Sequence, residues 1–494
     1  MNHPVNHSKI PVHRTGVCLA PNLARVVFRP FIISDEKRVL RIFTRVMCLN
    51  DEEVQLEFER VLAEFRGRHQ KPSQFFQARF DAIQKIANIQ SHISESRQLL
   101  IGAYFTMEYS LESAALFNPS IVWHPVQDAV EPGAKRFIIS LRATGEGHLS
   151  SITFREGTIT TDYQILMDPI SKYVTMPDNV PDATIDGKIF ARKLIELNVP
   201  QRTIDVVLSL LPPQFSDKQF DQAISTLLSS GRSYEIGLQN YLSTMRALIL
   251  SNYSVVFPKE LSLSERVLFP SAPSESNGIE DARFVSFCEP DHCAYYATYS
   301  AYDGRVVLPQ LIETNDFRRF NVHTLNGAAV QNKGFALFPR KVNGRYWMLG
   351  RQDGENVFIM SSDQLYFWNE KQVLLKPRYS WEFVQLGNCG SPIETSEGWL
   401  VLTHGVGPLR KYAIGACLLD LEDPTRVIGR TREPLLVPDQ NEREGYVPNV
   451  VYSCGGIIHH DRLVIPYAMS DYAASFATVP LLPLLDALKA SPDA

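Results

Sequence analysis

Apolar positions along this 494-residue chain fall into alternating blocks of helical and strand-like spacing. From Asp51 to His69 they recur at helical intervals. Val54, Phe58, Val61, Leu62 and Phe65 mark one face, Asn50 or Asp51 can cap the start, and acidic residues fill the first turn. The stretch Ser73 to Asn88 repeats the pattern through Phe76, Phe80, Ile83 and Ile86. With Ser94 to Tyr104 it predicts a helical N-terminal region, preceded over residues 1–33 by a tail or strand-like lead-in. From about Leu111 to Ile159, "ALFNPSIVWHP" and "KRFIISLRATGEGHLSSITFREG" are short apolar runs parted by Pro and Gly turns, which predicts strands.

Helical spacing returns over 190–250 and is broken by the double proline at 212–213. From about 253 to 480 the pattern is β again, in units of strand, polar end, turn and next strand. Evenly spaced short strands of this kind predict a sandwich, a barrel or a propeller, and the recurring polar strand ends favour the propeller. The expected class is mainly β. The expected organisation is an N-terminal extension over 1–105, a first β region over 106–169, a helical insertion over 170–252 and the remaining β units over 253–494.

Composition adds little to this and excludes more. Hydrophobic residues at 45% and charged residues at 21% fit a globular protein, and a net charge of -5 gives no reason to expect nucleic acid as a partner. Residues 1–17 lack the apolar core of a secretory signal, and no run approaches a membrane span. Seven scattered cysteines argue against a disulfide framework and for a reducing compartment, so the expected location is the cytoplasm. Cys288 and Cys293 bracket a turn and could face each other across a hairpin, but no second ligand pair has zinc-like spacing. Neither a metal nor a cofactor is expected.

Candidate chemistry is concentrated in short polar stretches. In Asn277-Gly278-Ile279-Glu280-Asp281-Ala282-Arg283 a glycine turn precedes two carboxylates and a guanidinium. Strand alternation would put Asp281 and Arg283 on one face and Glu280 on the other. That set can hold a catalytic acid beside a charge partner; alone it is equally a surface turn with a loose ion pair. Asn118-Pro119 is, alone, a turn. Lys333 and Arg351 lie beside apolar strand text, where cations can bind an oxyanion. "LTHG" around His404, "EGYVPNVV" over 444–451 and "YAMSD" ending at Asp471 complete the series.

None of these is specific singly, but their order is. From about Leu116 to Leu485, interrupted near 170–255, the sequence resembles glycoside hydrolase family 130. "GIEDARFV" resembles the family's Gly-x-Glu-Asp-x-Arg signature. "ALFPRKVNGRYWMLGR", "GWLVLTHGVG…YAIGACLLDLEDPTRVIGRTREPLL", "REGYVPNVVYSCG" and "YAMSD" are similar to its later segments. The resemblance implies a five-bladed β-propeller that acts on β-mannosides. It implies Asp281 as the general acid, with Asn118, Arg142, Glu280, Arg283 and Asp471 lining the sugar funnel. Lys333, Arg351, His404 and Tyr412 fall on the phosphate site. Gln385 departs from the pattern, because many phosphorylases carry a lysine there. The expected reaction is inverting phosphorolysis to α-mannose 1-phosphate, with inorganic phosphate as co-substrate and an oligosaccharide or disaccharide as partner. Hydrolysis by water is the alternative, and a silent sugar-binding propeller a third reading. The helical elements are expected to shape homo-oligomer contacts or the acceptor side of the funnel, or else only to pack against the side of the propeller.

Overall fold

The computed structural model describes residues 10–87, 92–128, 130–180, 184–230, 237–289 and 292–492. The fold is mainly β. Five antiparallel sheets of four or more strands carry most of the chain. In each, the strand that comes first from its own chain segment forms an edge: Ala115–Trp123, Ile279–Glu289, Lys333–Leu337, Gln385–Asn388 and Val451–Tyr452. We call their sheets first to fifth in that order. Ala115–Trp123 is buried along all but its last residue, which explains why "ALFNPSIVW" reads as one apolar run and not as an alternation.

Five apolar clusters join the sheets. Phe154 and Ile152 of the first meet Phe284 and Tyr299 of the second. Phe287 and Leu311 of the second meet Phe335 and Met348 of the third. Leu349 and Ile359 of the third meet Trp399 and Val401 of the fourth, and Leu402 and Ile414 of the fourth meet Ile465 and Tyr467 of the fifth. Val464 and Phe476 of the fifth then meet Phe137 and Ile139 of the first. Each such side chain contributes about 1.5–3 kcal/mol by leaving water.

Helices form where the spacing predicts them, over Asp51–Glu64, Pro72–Ala87 and Glu95–Tyr104. Asn50 and Glu53 complete a reciprocal cap at the start of the first of these. That helix stops short of His69. An additional helix, Glu36–Met47, begins at Asp35 and was not foreseen. The insertion supplies Gly187–Glu196, Gln201–Leu208, Asp217–Ser229 and Leu238–Leu250 around their own apolar cluster. The turn expected at the double proline separates the second and third of these. The helix end predicted at Asn88 lies outside the described residues.

The lead-in is strand-like, as one of the two expectations had it, and the cysteines depart from the sequence reading. The lead-in contains a strand, His13–Leu19, that pairs with Ala473–Pro480 and so completes the fifth sheet. Cys288 and Cys293 are directly opposed in a β-ladder and joined by a disulfide, with Cα atoms 4.2 Å apart. An odd, scattered cysteine count gave no sign of that bond; Pro290 and Asp291, where a turn was expected, lie outside the described residues.

Beneath the N-terminal helices, Arg25 and Arg155 both pair with Glu112, at 2.9 and 2.6 Å, with all three side chains buried. Arg25 also donates to the carbonyl of Ser264, 2.7 Å away. This charge cluster ties the segment before the helices to the first sheet. No helix among the described residues is long and apolar enough to cross a membrane.

Candidate active site

The edge strands of the five sheets meet through hydrogen bonds between their backbones and side chains. Phe284 N donates to Ser120 Oγ, Cys454 N to the Pro119 carbonyl, and Asn388 Nδ2 to the Gly334 carbonyl. Arg283 joins three sheets. Its Nε donates to the Cys389 carbonyl at 2.7 Å, and its Nη2 donates to Tyr452 Oη at 2.7 Å.

Two β-bulges aim the acidic groups. In Ala115–Trp123 the register skips between Phe117 and Ser120, because Pro119 has no N–H to give the ladder. Asn118 takes a left-handed conformation there (φ 48°) and donates its amide to Asp281 Oδ1 at 2.6 Å. In Ile279–Glu289 the register skips between Glu280 and Arg283, and Asp281 has φ 53°. Gly278 makes the preceding turn possible: it has φ 122°, and a Cβ on it would lie 2.5 Å from Ser150 Oγ.

The bulge overturns the alternation argument. Glu280 does not point away from Asp281, because both carboxylates face Arg142. Arg142 Nη2 donates to Glu280 Oε1 at 2.9 Å, and its Nη1 lies 3.5 Å from Asp281 Oδ1. Lys333 Nζ approaches Glu280 Oε2 at 3.4 Å. Arg283 Nη2 is 4.0 Å from Asp281 Oδ2. Asn118, Arg142, Glu280, Asp281, Arg283 and Lys333 are therefore one connected group.

Burial alone would raise the Asp281 carboxyl. The charges of Arg142, Arg283 and Lys333 and the Asn118 hydrogen bond outweigh it and hold the group at about 2. Asp471 follows Ser470 in a turn where both residues have φ 48°. Burial and the charge of Asp281 push its carboxyl up to about 6, against opposing pulls from Arg142 and Arg410.

Arg351, His404 and Gln385 form the adjoining group. Arg351 Nη1 and His404 Nε2 are 2.9 Å apart, and Gln385 Nε2 lies 3.2 Å from the same ring nitrogen. Burial first, then the neighbouring Arg351 and Arg283, hold the imidazole well below its usual range. It is neutral at pH 7, with Nε2 accepting. Tyr412 stacks on it at 5.9 Å between ring centroids. Gly387 leaves room for this contact, since a Cβ there would sit 2.4 Å from His404 Cε1. Gly334, next to Lys333, has φ 90° at a further register skip of the third sheet's edge.

All ten residues singled out in the sequence thus lie on or beside the converging edges. The sequence reading missed Tyr452, the Cys389 carbonyl and Gly387. A tyrosine inside "VVYSCG" and a backbone oxygen carry no pattern of their own. A cavity of about 420 Å³ opens at the opposite ends of the same edges. Its charged lining residues, Arg340 and Glu394, pair with each other. Among the described residues no three His, Cys, Asp or Glu side chains are grouped to hold a metal.

The family profile of glycoside hydrolase 130, described as β-1,4-mannooligosaccharide phosphorylase, matches residues 239–490. The chain belongs to this family. It is 36% identical over 219 residues to a 1,2-β-oligomannan phosphorylase of Thermoanaerobacter sp. (strain X514), which covers 43% of this chain and 71% of that relative. It is 35% identical over 211 residues to a β-1,2-mannobiose phosphorylase of Listeria innocua, which covers 41% of this chain and 58% of that relative. The solved structure of β-1,2-mannobiose phosphorylase from Listeria innocua, in complex with β-1,2-mannobiose, aligns over 78% of this chain and 94% of its own, with 23% identity and a TM-score of 0.47. As a glycoside hydrolase 130 member this chain is an enzyme. The matched region contains Asp281, Lys333, Arg351 and His404. The strands of the first sheet that supply Asn118 and Arg142 lie before it.

Proposed function

We propose that this enzyme cleaves a β-mannoside with inorganic phosphate, inverts the anomeric carbon and releases α-mannose 1-phosphate with a shortened acceptor. We further propose that the five sheets are the blades of a propeller with the reaction at its axis. Five converging edge strands, and apolar clusters that link each sheet to the next and the fifth to the first, support that arrangement.

The observation that carries the chemistry is one ionised carboxylate, Asp281, within the field of Lys333 and next to the group formed by Arg351 and His404. A phosphate dianion entering a site of low water content needs cations and strong donors to replace its hydration. Lys333 and Arg351 supply charge, while neutral His404 holds Arg351 in place. In the reaction a phosphate oxygen bonds to C1 as the C1–O bond to the acceptor breaks. The proton of hydrogen phosphate ends on the acceptor oxygen, so charge and protons balance. Asp281 is the relay, directly or through a sugar hydroxyl, and needs its proton only in passing. Bound phosphate draws Lys333 away from Asp281 electrostatically and raises its carboxyl toward the range a proton carrier needs.

One observation favours hydrolysis as a second reading. Asp471, at about 6, is a carboxylate able to accept a proton from water near neutral pH. The two readings separate when β-1,2- and β-1,4-mannobiose are each incubated with and without phosphate. Phosphate-dependent α-mannose 1-phosphate is the expected product. Free mannose at one rate under both conditions would replace phosphorolysis with hydrolysis.

A further inference from the structure

We propose that Tyr446 and Tyr472 form a stacking platform for the sugar residue on the leaving-group side of the scissile bond. This rests on β-mannoside cleavage at Asp281 and adds the position of the acceptor.

The two rings are large, partly apolar and open to solvent, at 49% and 45% exposure. They are also held. Tyr446 Oη lies 2.8 Å from His148 Nδ1, across from the turn between two strands of the first sheet. His148 takes a left-handed conformation (φ 61°) to reach it, a cost that persists where surrounding structure imposes it. Gly445 lets the Tyr446 segment close on Tyr472, because a Cβ there would sit 3.0 Å from Tyr472 Cβ and 2.5 Å from the Ser470 carbonyl. Val447 N donates to the same carbonyl, and Leu116 N donates to the Tyr472 carbonyl. The pair is thus fixed at the seam between the fifth and first sheets, one residue from Asp471.

Inversion by direct attack sets the nucleophile and the leaving group on opposite faces of C1. Lys333, Arg351 and His404 belong to the third and fourth sheets, so the acceptor belongs on the side of the fifth and first. That is where the two tyrosines stand. A pyranose presents an apolar C–H face and a hydroxyl rim, which match a phenol ring with an exposed face and a polar tip. The class of ligand is therefore a hexopyranose acceptor, free or at the end of a glycan.

Calorimetric titration of the full chain carrying Asp281→Asn, which removes turnover, tests this with β-1,2-mannobiose, β-1,4-mannobiose and α-mannose 1-phosphate. Tyr446→Ala and Tyr472→Ala should each weaken binding of the better disaccharide by about three- to tenfold. Binding of α-mannose 1-phosphate, which has no leaving-group sugar, should stay unchanged, and Tyr446→Phe and Tyr472→Phe, which keep the rings, should retain disaccharide affinity. If the double alanine variant binds the disaccharide as tightly as its parent, the platform is wrong and the cleavage reading stands. If neither disaccharide binds the parent, both readings fall.

Discussion

Replacing Asp471 with asparagine is expected to stabilise the unliganded enzyme at pH 8 and to change little at pH 4. The carboxyl sits at about 6 in the folded protein against an ordinary 3.8, because burial and Asp281 both disfavour its charge. A raised acid favours folding while it is protonated. Its contribution is complete below the unfolded value near 3.8 and is lost as pH rises through about 6. At about 1.36 kcal/mol per pH unit, the gap from 3.8 to about 6 has an upper limit of about 3 kcal/mol. The residue retains some contact with water, so about 1–2 kcal/mol is expected. Asparagine has the same size and no proton to lose, so the variant escapes the penalty of charging. Urea denaturation of both proteins at pH 4 and pH 8 measures the difference. An equal offset at both pH values, or a variant less stable at pH 8, would refute the argument that Asp471 is held against ionisation.

Three further outcomes follow from the geometry. Asp281→Asn should lower kcat by about 10²–10⁴-fold, because the relay cannot take up a proton; steady-state rates on mannobiose with phosphate check it. Arg351→Ala should raise the KM for phosphate far more than that for the mannoside, since the guanidinium stands with His404 on the nucleophile's side; paired KM measurements show whether the effect is so divided. Glu112→Ala should destabilise the fold by about 3–5 kcal/mol, read as a shifted urea midpoint, because it leaves buried Arg25 and Arg155 facing each other without their shared anion.

Much of the architecture was visible as periodicity. The helices at Asp51, Pro72 and Glu95 and the strands flanking Asn118 and Arg142 follow apolar spacing and turn residues, which are local properties. The chemistry of the site was visible as residue types, since Glu280, Asp281 and Arg283 stand together in the chain. Their orientation was not. A bulge changes strand alternation by one residue, and whether Asp281 adopts a positive φ is decided by Gly278 fitting against Ser150, a residue about 130 positions away. Asn118-Pro119 likewise reads as a turn because the local pattern carries no sign of the neighbouring sheet that accommodates it. The resemblance put His404 on the phosphate site; only the approach of Arg351 shows its Nε2 to be an acceptor. Contacts between distant segments, such as Arg283 to Tyr452 and to the Cys389 carbonyl, leave no local spacing to find.

The pairing of His13–Leu19 with Ala473–Pro480 also bears on how the chain acquires its structure during synthesis. Ser475 and Val17 are joined although 458 positions separate them. At about 5–20 residues per second, the first strand waits about 20–90 s on the ribosome before its partner exists. Until then four sheets can assemble while the fifth keeps an open edge, with unpaired N–H and C=O groups able to capture another chain. The last step is closure of a very long loop, whose entropic cost grows only with the logarithm of length, so the delay is one of supply more than of free energy. Aggregation during production should therefore be sensitive to elongation rate over the last strands of the fifth sheet, and a chaperone that shields strand edges should act on this nascent chain late in translation.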